Sequence, residues 1–421
     1  MLIEFRVKNF RSFRDEQVLS LVASNDKTFL NTNTLPTGIN AAPTLLRSAV
    51  IYGANASGKS NLIKALQYMR ALVLESAAAM QPGQLFKVQP FRLSRESSEQ
   101  PTEFEVTFLL EGVRYQYGFA LNSRHIVSEH LLVYKAFKPQ RWFERYLDNE
   151  TGKEVYEFGS GLKGQKSLWE GATRSNSLFL SMAAQLNSEQ LQPLFDWFNT
   201  QLVIFNEVSR VTPKFSVQGL QRPEARKELC DFLAGADISI ADIDVVTRKV
   251  PAQTVTVDRV TGNAEVKREE IEEHQVLFRH VTEQGEAVFD SGDESSGTRL
   301  LLTLAGPILD ILKKGLTLVV DELDSSLHPL LVRRLVQLFH QSTSQAGAQL
   351  IFTTHDTSLL DAPGLLRRDQ IWFVEKDRNQ ASSLVGLSEF KPRKNEALER
   401  GYLMGRYGGL PFLSDLPVLE P

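Results

Sequence analysis

The chain begins with a segment in which apolar and charged side chains alternate. From Ile3 to Lys8 every second side chain is apolar, and the ones between are charged. This period of two predicts a strand with one buried face over residues 2–8. Further strand-like runs, separated by turn residues, predict an antiparallel meander. These runs cover residues 102–110, 114–121, 126–134, 142–146 and 155–158.

Other apolar runs are short and continuous, which is typical of strands buried on both faces. The runs of this kind cover residues 48–52, 315–321, 349–353 and 370–374. Helical spacing of apolar positions is found at residues 61–70, 298–312 and 330–339. Strands that alternate with helices in this way predict an α/β fold.

The middle of the chain changes its pattern twice. We expect helices over residues 175–197 and 224–233, with a connecting segment around Pro213 between them. Strand-like patterns return from residue 238 to residue 289. Residues 25–43 are rich in Asn, Thr and Gly, which predicts a surface loop.

The length of 421 residues exceeds one ordinary hydrophobic core, so more than one lobe is expected. The pattern changes divide the chain into a first lobe at 1–180, a helical insertion at 181–240 and a second lobe at 241–421. Hydrophobic residues make up 42% of the chain and charged ones 23%, as in soluble globular proteins. A formal net charge of −4 gives no overall attraction to nucleic acid.

The single cysteine, Cys230, excludes an intrachain disulfide and a cysteine-rich zinc site. The first residues lack the apolar core of a signal peptide, and no apolar run approaches membrane-spanning length. We therefore expect a cytoplasmic protein without a membrane partner.

Residues 53–60 read Gly-Ala-Asn-Ala-Ser-Gly-Lys-Ser and match the phosphate-binding P-loop pattern. A buried strand precedes them and a helix follows, so backbone N–H groups and the helix dipole would face a polyphosphate. Lys59 would reach the β- and γ-phosphates, and Ser60 would place its hydroxyl on Mg²⁺. The residues expected to bind the nucleotide here are Gly53, Asn55, Ala56, Ser57, Gly58, Lys59, Ser60 and Asn61.

A second group of polar residues follows two of the buried strands. Asp321 and Glu322 come directly after one strand, which is typical of a Walker B element. Asp321 would hold Mg²⁺ through water, and Glu322 would polarise the attacking water. His355 ends the next strand, where a neutral imidazole would hydrogen-bond the γ-phosphate.

Residues 293–299, Asp-Glu-Ser-Ser-Gly-Thr-Arg, provide a second anion cradle at the start of a helix. Ser295, Ser296 and Gly297 would direct a hydroxyl and free N–H groups outward, although Ser295 would also serve as a plain N-cap. Two phosphate-type cradles in one chain are explained if each nucleotide lies between the P-loop of one copy and the serine cradle of another.

In this order the motifs resemble those of ABC-type ATPases, in the head-domain branch that includes SMC proteins, RecF and OLD-like ATPases. Residues 324–329 resemble the D-loop of that branch. Residues 9–13 resemble its nucleotide-contacting turn, which implies that Arg11 and Ser12 bind the nucleotide. The chain is most similar to bacterial AAA family ATPases of phage-defence and abortive-infection loci, such as RloA and AbiL-type ATPases. This similarity extends to residues 399–411.

The resemblance implies an α/β ABC-type ATPase head with a P-loop core, an antiparallel β subdomain and a helical insertion, using ATP and Mg²⁺. The signature departs from the family pattern, because Ser296 replaces the first of two glycines. ABC enzymes also carry a glutamine where the first lobe meets the insertion. Gln185 fits that junction and is expected to contact nucleotide and metal, with Gln89 as the alternative.

We expect an ATPase that forms a head-to-tail homodimer, or a higher homo-oligomer, on ATP and resets by hydrolysis. The residues after His355 hold one strand pair and a glycine-rich tail, too little for a nuclease domain. The output is therefore expected from a co-encoded effector, plausibly a nuclease, in antiphage defence.

Three alternatives stay open at this point. A DNA-repair ATPase acting directly on DNA would require a basic groove across the dimer. A transporter motor is disfavoured by the strand-rich first lobe, and a non-hydrolysing scaffold is disfavoured by Glu322. Binding of nucleic acid and the choice between ATP and GTP also stay open.

Overall fold

The computed structural model describes most of the 421-residue chain. The described residues are 1–148, 150–206, 211–235, 240–257, 264–325, 327–341, 347–393 and 396–410. Three sequence motifs reach beyond them: Asn149 of a predicted turn, Ser326 of the D-loop-like segment and Pro411 at the end of the tail lie outside the described residues. Parts of the predicted connecting segment and of the predicted strand region from residue 238 also lie outside them.

The strands are numbered in chain order. They are β1 Leu2–Lys8, β2 Gln17–Ser20, β3 Thr34–Pro36, β4 Thr44–Leu46, β5 Ser48–Tyr52, β6 Thr102–Leu110, β7 Val113–Leu121, β8 Ile126–Tyr134, β9 Gln140–Leu147, β10 Glu154–Phe158, β11 Leu202–Phe205, β12 Asp242–Val257, β13 Ala264–Thr282, β14 Gly285–Asp290, β15 Thr317–Val320, β16 Gln349–Thr353, β17 Ile371–Lys376 and β18 Ser382–Gly386.

The α-helices are numbered in the same way. They are α1 Leu30–Asn33, α2 Lys59–Glu75, α3 Arg95–Glu99, α4 Lys166–Ala172, α5 Phe179–Gln185, α6 Gln192–Asp196, α7 Lys214–Leu220, α8 Pro223–Ala234, α9 Ser296–Lys314, α10 Pro329–Gln341 and α11 Leu398–Leu403. A π-helical turn, Trp197–Gln201, follows α6, and 3₁₀ turns cover Thr357–Leu359, Arg368–Gln370 and Leu387–Phe390.

The central sheet has the strand order β11-β15-β16-β5-β17-β18. Its strands are parallel except for the last pair, β17 and β18, which is antiparallel. The side chains of β5, β15 and β16 are all buried, because helices and the second sheet cover both faces. Parallel strands end at one edge of a sheet, so the residues after β5, β15 and β16 are brought together.

The second sheet is antiparallel, with the order β10-β9-β8-β7-β6-β1-β2. Helix α2 contacts its strands β1 and β6. The buried side chains of α2 belong to a hydrophobic cluster that also includes Ile51, Val319 and Ile351 of the parallel sheet. Helix α2 is therefore the element that joins both sheets into one core, and the P-loop lies at its first residue.

A buried carboxylate fastens the antiparallel sheet to the start of α5. The carboxylate of Glu129, on β8, accepts hydrogen bonds from the backbone N–H groups of Phe179 and Leu180 and from the Tyr117 hydroxyl. It also forms an ion pair with Arg145 on β9. Buried charges persist only when they are paired and hydrogen-bonded, so this network fixes the position of α5.

The chain divides into two compact units. Unit 1 comprises residues 1–207 and 311–421, and unit 2 comprises residues 208–310. Unit 2 contains the sheet β12-β13-β14, in which β12 and β13 pair along their length from Asp242↔Arg279 to Val257↔Ala264. Because β14 pairs only with Leu277–Thr282 of β13, the rest of that hairpin is a two-stranded ribbon.

The predicted α/β fold class, with a P-loop core and an antiparallel β subdomain, is confirmed by these sheets. The meander, the P-loop strand, the P-loop helix and helix α8 form where the sequence predicts them. No helix among the described residues combines the length and apolarity needed to cross a bilayer.

Three local expectations were wrong. The predicted helix over 175–197 is broken into α5 and α6, because Asn187 adopts a positive φ of 59° between them. The predicted loop over 25–43 contains α1 and β3, and Asn33 there is fully buried, with its amide bonded to Leu365 and Gln370. The segment after α6 was not recognised as a strand, yet β11 forms the edge of the parallel sheet beside β15.

Candidate functional site: a phosphate loop and the strand-end acids

The loop between β5 and α2 is shaped by its two glycines. A Cβ atom on Gly53 would lie 2.4 Å from the carbonyl oxygen of Val374. A Cβ atom on Gly58, whose φ is +122°, would lie 2.5 Å from the Ser382 hydroxyl and 2.9 Å from the Ser12 hydroxyl. Only glycine allows the backbone to approach β17, β18 and the turn after β1 this closely.

Lys59 is the first residue of α2, and its side chain is buried. Its ammonium group donates hydrogen bonds to the carbonyl oxygens of Gly53, at 2.6 Å, and Ala54, at 3.1 Å. Burial lowers the pKa of Lys59, and the carboxylates of Glu322 and Asp321 act in the opposite direction. The geometry thus holds a desolvated cation inside the loop, where it would attract a phosphate strongly.

Two further polar groups of the loop favour an oxyanion ligand. The Ser57 hydroxyl is buried and makes no hydrogen bond within the described part of the chain. Ser60 follows Lys59 in the first turn of α2, where helix N–H groups lack the usual partner four residues earlier, whereas the next N–H, that of Asn61, already donates to the Gly58 carbonyl at 2.9 Å. Asn55 and Ala56 form the exposed crest of the loop, with Ala56 at a positive φ of 61°.

The turn after β1 is fastened to the P-loop. The Ser12 hydroxyl accepts a hydrogen bond from the Asn61 side chain at 2.8 Å, and the Ser12 carbonyl accepts one from the Ser382 N–H. Arg11 precedes it at a positive φ of 52°, and its Nε is buried without a hydrogen bond among the described residues. The structure thus brings Arg11 and Ser12 beside the phosphate loop.

Arg11 lines a recess of about 220 Å³ that two further cationic side chains also line. Its cations are Arg11, Arg92 and Lys376, and none of the described residues that line it carries a carboxylate. The Gln89 carbonyl accepts a hydrogen bond from the Arg11 N–H at 2.7 Å and lines the same recess. This recess adjoins the P-loop through Ser12 and favours an anionic or strongly polar ligand.

The two strand-end acids are held by one threonine of β16. The Thr353 hydroxyl donates to the Asp321 carboxylate at 2.7 Å and accepts from the Glu322 N–H at 2.7 Å. Asp321 is buried, whereas the Glu322 side chain is half-exposed, and Glu322 adopts a positive φ of 52°. This backbone conformation, which is uncommon for a residue other than glycine, turns Glu322 away from the strand direction.

His355 lies next to Glu322 at the same edge of the sheet. Its Nε2 is 3.9 Å from the Glu322 carboxylate, and both side chains are about half-exposed. The backbone N–H of His355 donates to the carboxylate of Asp324 at 3.0 Å. This bond ties the loop after β16, residues 354–360 and here called the histidine loop, to the segment after β15. Lys59, Asp321, Glu322 and His355 therefore gather at the carboxyl edge of the parallel sheet, as the sequence indicates.

Gln185 is not brought to this edge. It is the exposed last residue of α5, one turn after Ser181, whose hydroxyl donates to the carbonyl of Val73. Val73 lies about 20 Å along α2 from Lys59, at 1.5 Å per residue. Gln89, the alternative from the sequence, lies beside Arg11 and is the better placed of the two glutamines.

The serine cradle belongs to unit 2, at the start of α9. The Ser295 hydroxyl accepts a hydrogen bond from the Thr298 N–H at 3.0 Å, so Ser295 is the N-cap of this helix. Ser296 is exposed and Gly297 is partly exposed, so the first turn of α9 faces solvent. Glu294, just before the cap, is hydrogen-bonded to His280 of β13 at 2.6 Å.

Sequence reasoning missed two residues that shape the site. Thr353 was missed, although it ends strand β16 two residues before His355, a position that indicates a residue near the site. Ser382 gave no signal, because its hydroxyl reaches the Ser57 carbonyl from a distant part of the chain.

Comparison with known proteins places this arrangement in a family. The family model described as "AAA domain, putative AbiEii toxin, Type IV TA system" matches residues 48–361. A search of curated protein sequences finds no match.

Solved structures with a similar fold include SMC heads. The SMC head domain from Thermotoga maritima is 15% identical, with 91% of this chain and 98% of that chain covered and a TM-score of 0.42. The Smc head domain with a coiled coil and joint from Pyrococcus yayanosii is 11% identical, with 93% and 100% covered and a TM-score of 0.38.

The matched residues begin at the P-loop strand and extend past His355, well over half of the chain. The chain therefore belongs to the AAA-domain family of putative AbiEii toxins of type IV toxin–antitoxin systems.

Proposed function

We propose that the chain binds ATP with Mg²⁺ and hydrolyses it at the carboxyl edge of the parallel sheet. One observation carries this proposal: the buried ammonium of Lys59 and the strand-end residues Asp321, Glu322 and His355 converge on that edge. A cation, a metal-binding carboxylate and a residue that orients the attacking water are the parts with which P-loop enzymes transfer a phosphoryl group to water.

The residues present fit a magnesium nucleotide. Mg²⁺ prefers oxygen ligands and is usually held by one or two protein groups together with phosphates and water. Ser60 and Asp321 offer a hydroxyl and a carboxylate, and the Ser57 hydroxyl is a buried donor without a partner among the described residues. When bound, Mg²⁺ would neutralise charge on the phosphates.

The protein residues then have separate roles. Lys59 neutralises the β- and γ-phosphates, and Glu322 orients and polarises the attacking water. His355 hydrogen-bonds the γ-phosphate and so distinguishes ATP from ADP. Arg11, Ser12 and Asn61 contact the nucleotide beyond the P-loop, and Gln89 takes the place that the sequence first suggested for Gln185.

The serine cradle supports a composite site. Because Ser295 and Ser296 are exposed and Gly297 is partly exposed at the start of α9, these residues are suited to bind an anion carried by another copy of the chain. We assign them to the nucleotide held by the P-loop of a second copy, in an ATP-dependent head-to-tail homodimer.

We assign the cellular effect that ATP hydrolysis controls to a separate effector protein. The family's description names a toxin of a type IV toxin–antitoxin system, which supports a role in cell defence. We place the protein in the cytoplasm, in antiphage defence, where the nucleotide state would restrain or release an effector, plausibly a nuclease.

Turnover by purified variants tests the ATPase proposal. Lys59→Ala should lose ATP binding, because the phosphate charge loses its main cation. Glu322→Gln should still bind ATP but hydrolyse it about 10²–10³-fold more slowly, because the amide keeps the shape and loses the base. A Lys59→Ala protein that turns over ATP at the wild-type rate would contradict the assignment.

Incubation with nucleic acid tests the separate effector. The purified chain with Mg²⁺ or Mn²⁺ and ATP should leave labelled DNA and RNA intact, and toxicity in cells should require a neighbouring gene product. Cleavage that co-purifies with the chain, and is lost on a point mutation outside the ATP site, would show that the chain is its own effector.

A further inference from the structure

Residues 396–409, here called the glycine-rich brace, pack across the base of the P-loop. The brace begins beside the histidine loop: the N–H groups of Leu398 and Glu399 donate to the carboxylate of Asp361 at 2.7 and 3.1 Å. The Thr357 hydroxyl donates to the Glu399 carboxylate at 2.6 Å. Thr357 opens the 3₁₀ turn that follows His355, so one end of the brace is anchored to this loop.

The middle of the brace packs on the strand that leads into the P-loop. Tyr402 is buried, with its ring 5.7 Å from that of Tyr52 and stacked on Phe373 at 5.3 Å. Tyr52 is the residue before Gly53, and its hydroxyl donates to the carbonyl of Asp356 in the histidine loop. The brace therefore contacts both segments that border the phosphate site.

The end of the brace reaches the P-loop backbone itself. Gly408 and Gly409 both adopt positive φ, at 70° and 72°. A Cβ atom on Gly409 would lie 3.4 Å from the Cα of Gly53 and 3.6 Å from the Val374 carbonyl. The Tyr402 hydroxyl donates to the Gly409 carbonyl at 3.2 Å, which holds this turn in place.

The contact between Gly409 and Gly53 affects phosphate binding through the backbone of Gly53. Its carbonyl accepts the shortest hydrogen bond of the Lys59 ammonium, at 2.6 Å. Backbone on either side of Gly53 is fixed, by β5 before it and by the helix after Gly58. A small displacement of Gly53 would therefore be passed to the acceptor that sets the position of Lys59.

The geometry points to the brace as a positioning element of the nucleotide site, with Gly409 and Tyr402 as positioning residues for Gly53 and, through it, for Lys59. This inference rests on the proposed ATP binding. Beyond its contribution to folding, the brace holds the backbone of Gly53 at the position that gives the P-loop its full affinity for nucleotide.

Two glycine variants separate this role from ordinary stability. A Cβ atom on Gly409 alone would make only an ordinary van der Waals contact with Gly53, at 3.4 Å, so the branched side chain of valine is used to displace Gly53. Gly405→Val is the matched control, because its φ of +78° is similar and, among the described residues, a Cβ atom there has only Leu410, at 3.7 Å, nearby. Both substitutions place a β-branched residue in the left-handed region, so both should lower the melting temperature by similar amounts. Only Gly409→Val should weaken ATP binding, by about tenfold in Kd and in KM, with kcat at saturating ATP changed less than about threefold.

A second pair of variants covers the case in which Gly409→Val fails to fold. Tyr402→Phe removes the hydroxyl that donates to Gly409, and Tyr407→Phe removes one that donates to Glu396, while both rings stay stacked on Phe373. Tyr402→Phe should weaken ATP binding several-fold, and Tyr407→Phe should leave it unchanged.

Equal Kd values for each variant and its control would overturn the role of the brace. Wild-type protein that binds no ATP would instead overturn the proposed function, so the two failures are distinguished by the wild-type titration.

Discussion

One hydroxyl, that of Thr353, holds both acids of the site. It donates to Asp321 and accepts from the N–H of Glu322, each at 2.7 Å. Glu322 is in the left-handed region, which costs a non-glycine residue about 1–2 kcal/mol. The bond from Thr353 is one of the contacts that offset this cost and fix the direction of the proposed base.

Thr353→Val tests this role at constant shape. Without the hydroxyl, Asp321 and Glu322 lose their common partner, so we expect kcat for ATP to fall about 10–100-fold with little change in Kd. Thr317→Val is the matched control, because its hydroxyl bonds Gln349 in the same sheet, in the first residue pair of β15 and β16. Equal loss of kcat in both variants would contradict the assignment.

At the scale of single residues, the sequence predicts those site residues that lie within one contiguous motif. Lys59, Ser60, Asp321 and Glu322 are recognised because each sits at a fixed place in a contiguous pattern. The role of Thr353 depends on the pairing of β15 with β16, and that of Ser382 on a contact with Ser57. Such links are set by tertiary packing, which a single sequence does not display.

Among the elements, helix α10 carries a buried histidine against the P-loop strand. His340 Nε2 lies 2.8 Å from the hydroxyl of Ser48, the first residue of β5. Burial, and secondarily the charge of Arg47, lower the pKa of His340 to about 3. The imidazole is therefore neutral in the folded protein throughout the neutral range, where it completes the hydrogen bonds of Ser48 and Gln370.

This histidine should make stability depend on pH. Above about pH 6.5 His340 is neutral in both states and carries no penalty. As the pH falls from 6.5 towards 3, only the unfolded chain binds the proton, so the free energy of unfolding should fall by up to about 1.4 kcal/mol per pH unit. Urea unfolding of wild type and His340→Gln between pH 7.5 and 5 measures this slope. An equal change of the free energy of unfolding with pH in the two proteins would contradict this role of His340.

The elements that the sequence predicts well are the strongly patterned ones, such as β1, the meander and α2. Strand β11 was missed because four residues after a helix give too short a pattern, and its partner β15 decides its state. The hairpin β12–β13 was expected as strands, but not at 16 and 19 residues, because its length comes from pairing along the two strands.

The whole molecule consists of two compact units, and unit 2 comprises residues 208–310. The P-loop belongs to unit 1 and the serine cradle belongs to unit 2. The lobes expected at 1–180, 181–240 and 241–421 stay a prediction.

Mixing two inactive variants tests this composite site most directly. The structure favours Ser296→Arg over a change at Ser295, because Ser295 caps α9 and Ser296 is exposed. In a head-to-tail dimer of Lys59→Ala with Ser296→Arg, one site carries both lesions and the other carries none. A mixture of Lys59→Ala with Asp321→Ala is the control, because each of its sites carries one lesion.

ATP hydrolysis by these mixtures is the deciding measurement. We expect each variant alone to be inactive, the mixture of Lys59→Ala with Ser296→Arg to recover part of the wild-type turnover, and the control mixture to recover none. No recovery in the first mixture, with mixed dimers shown to form by sedimentation, would contradict a site shared between two copies.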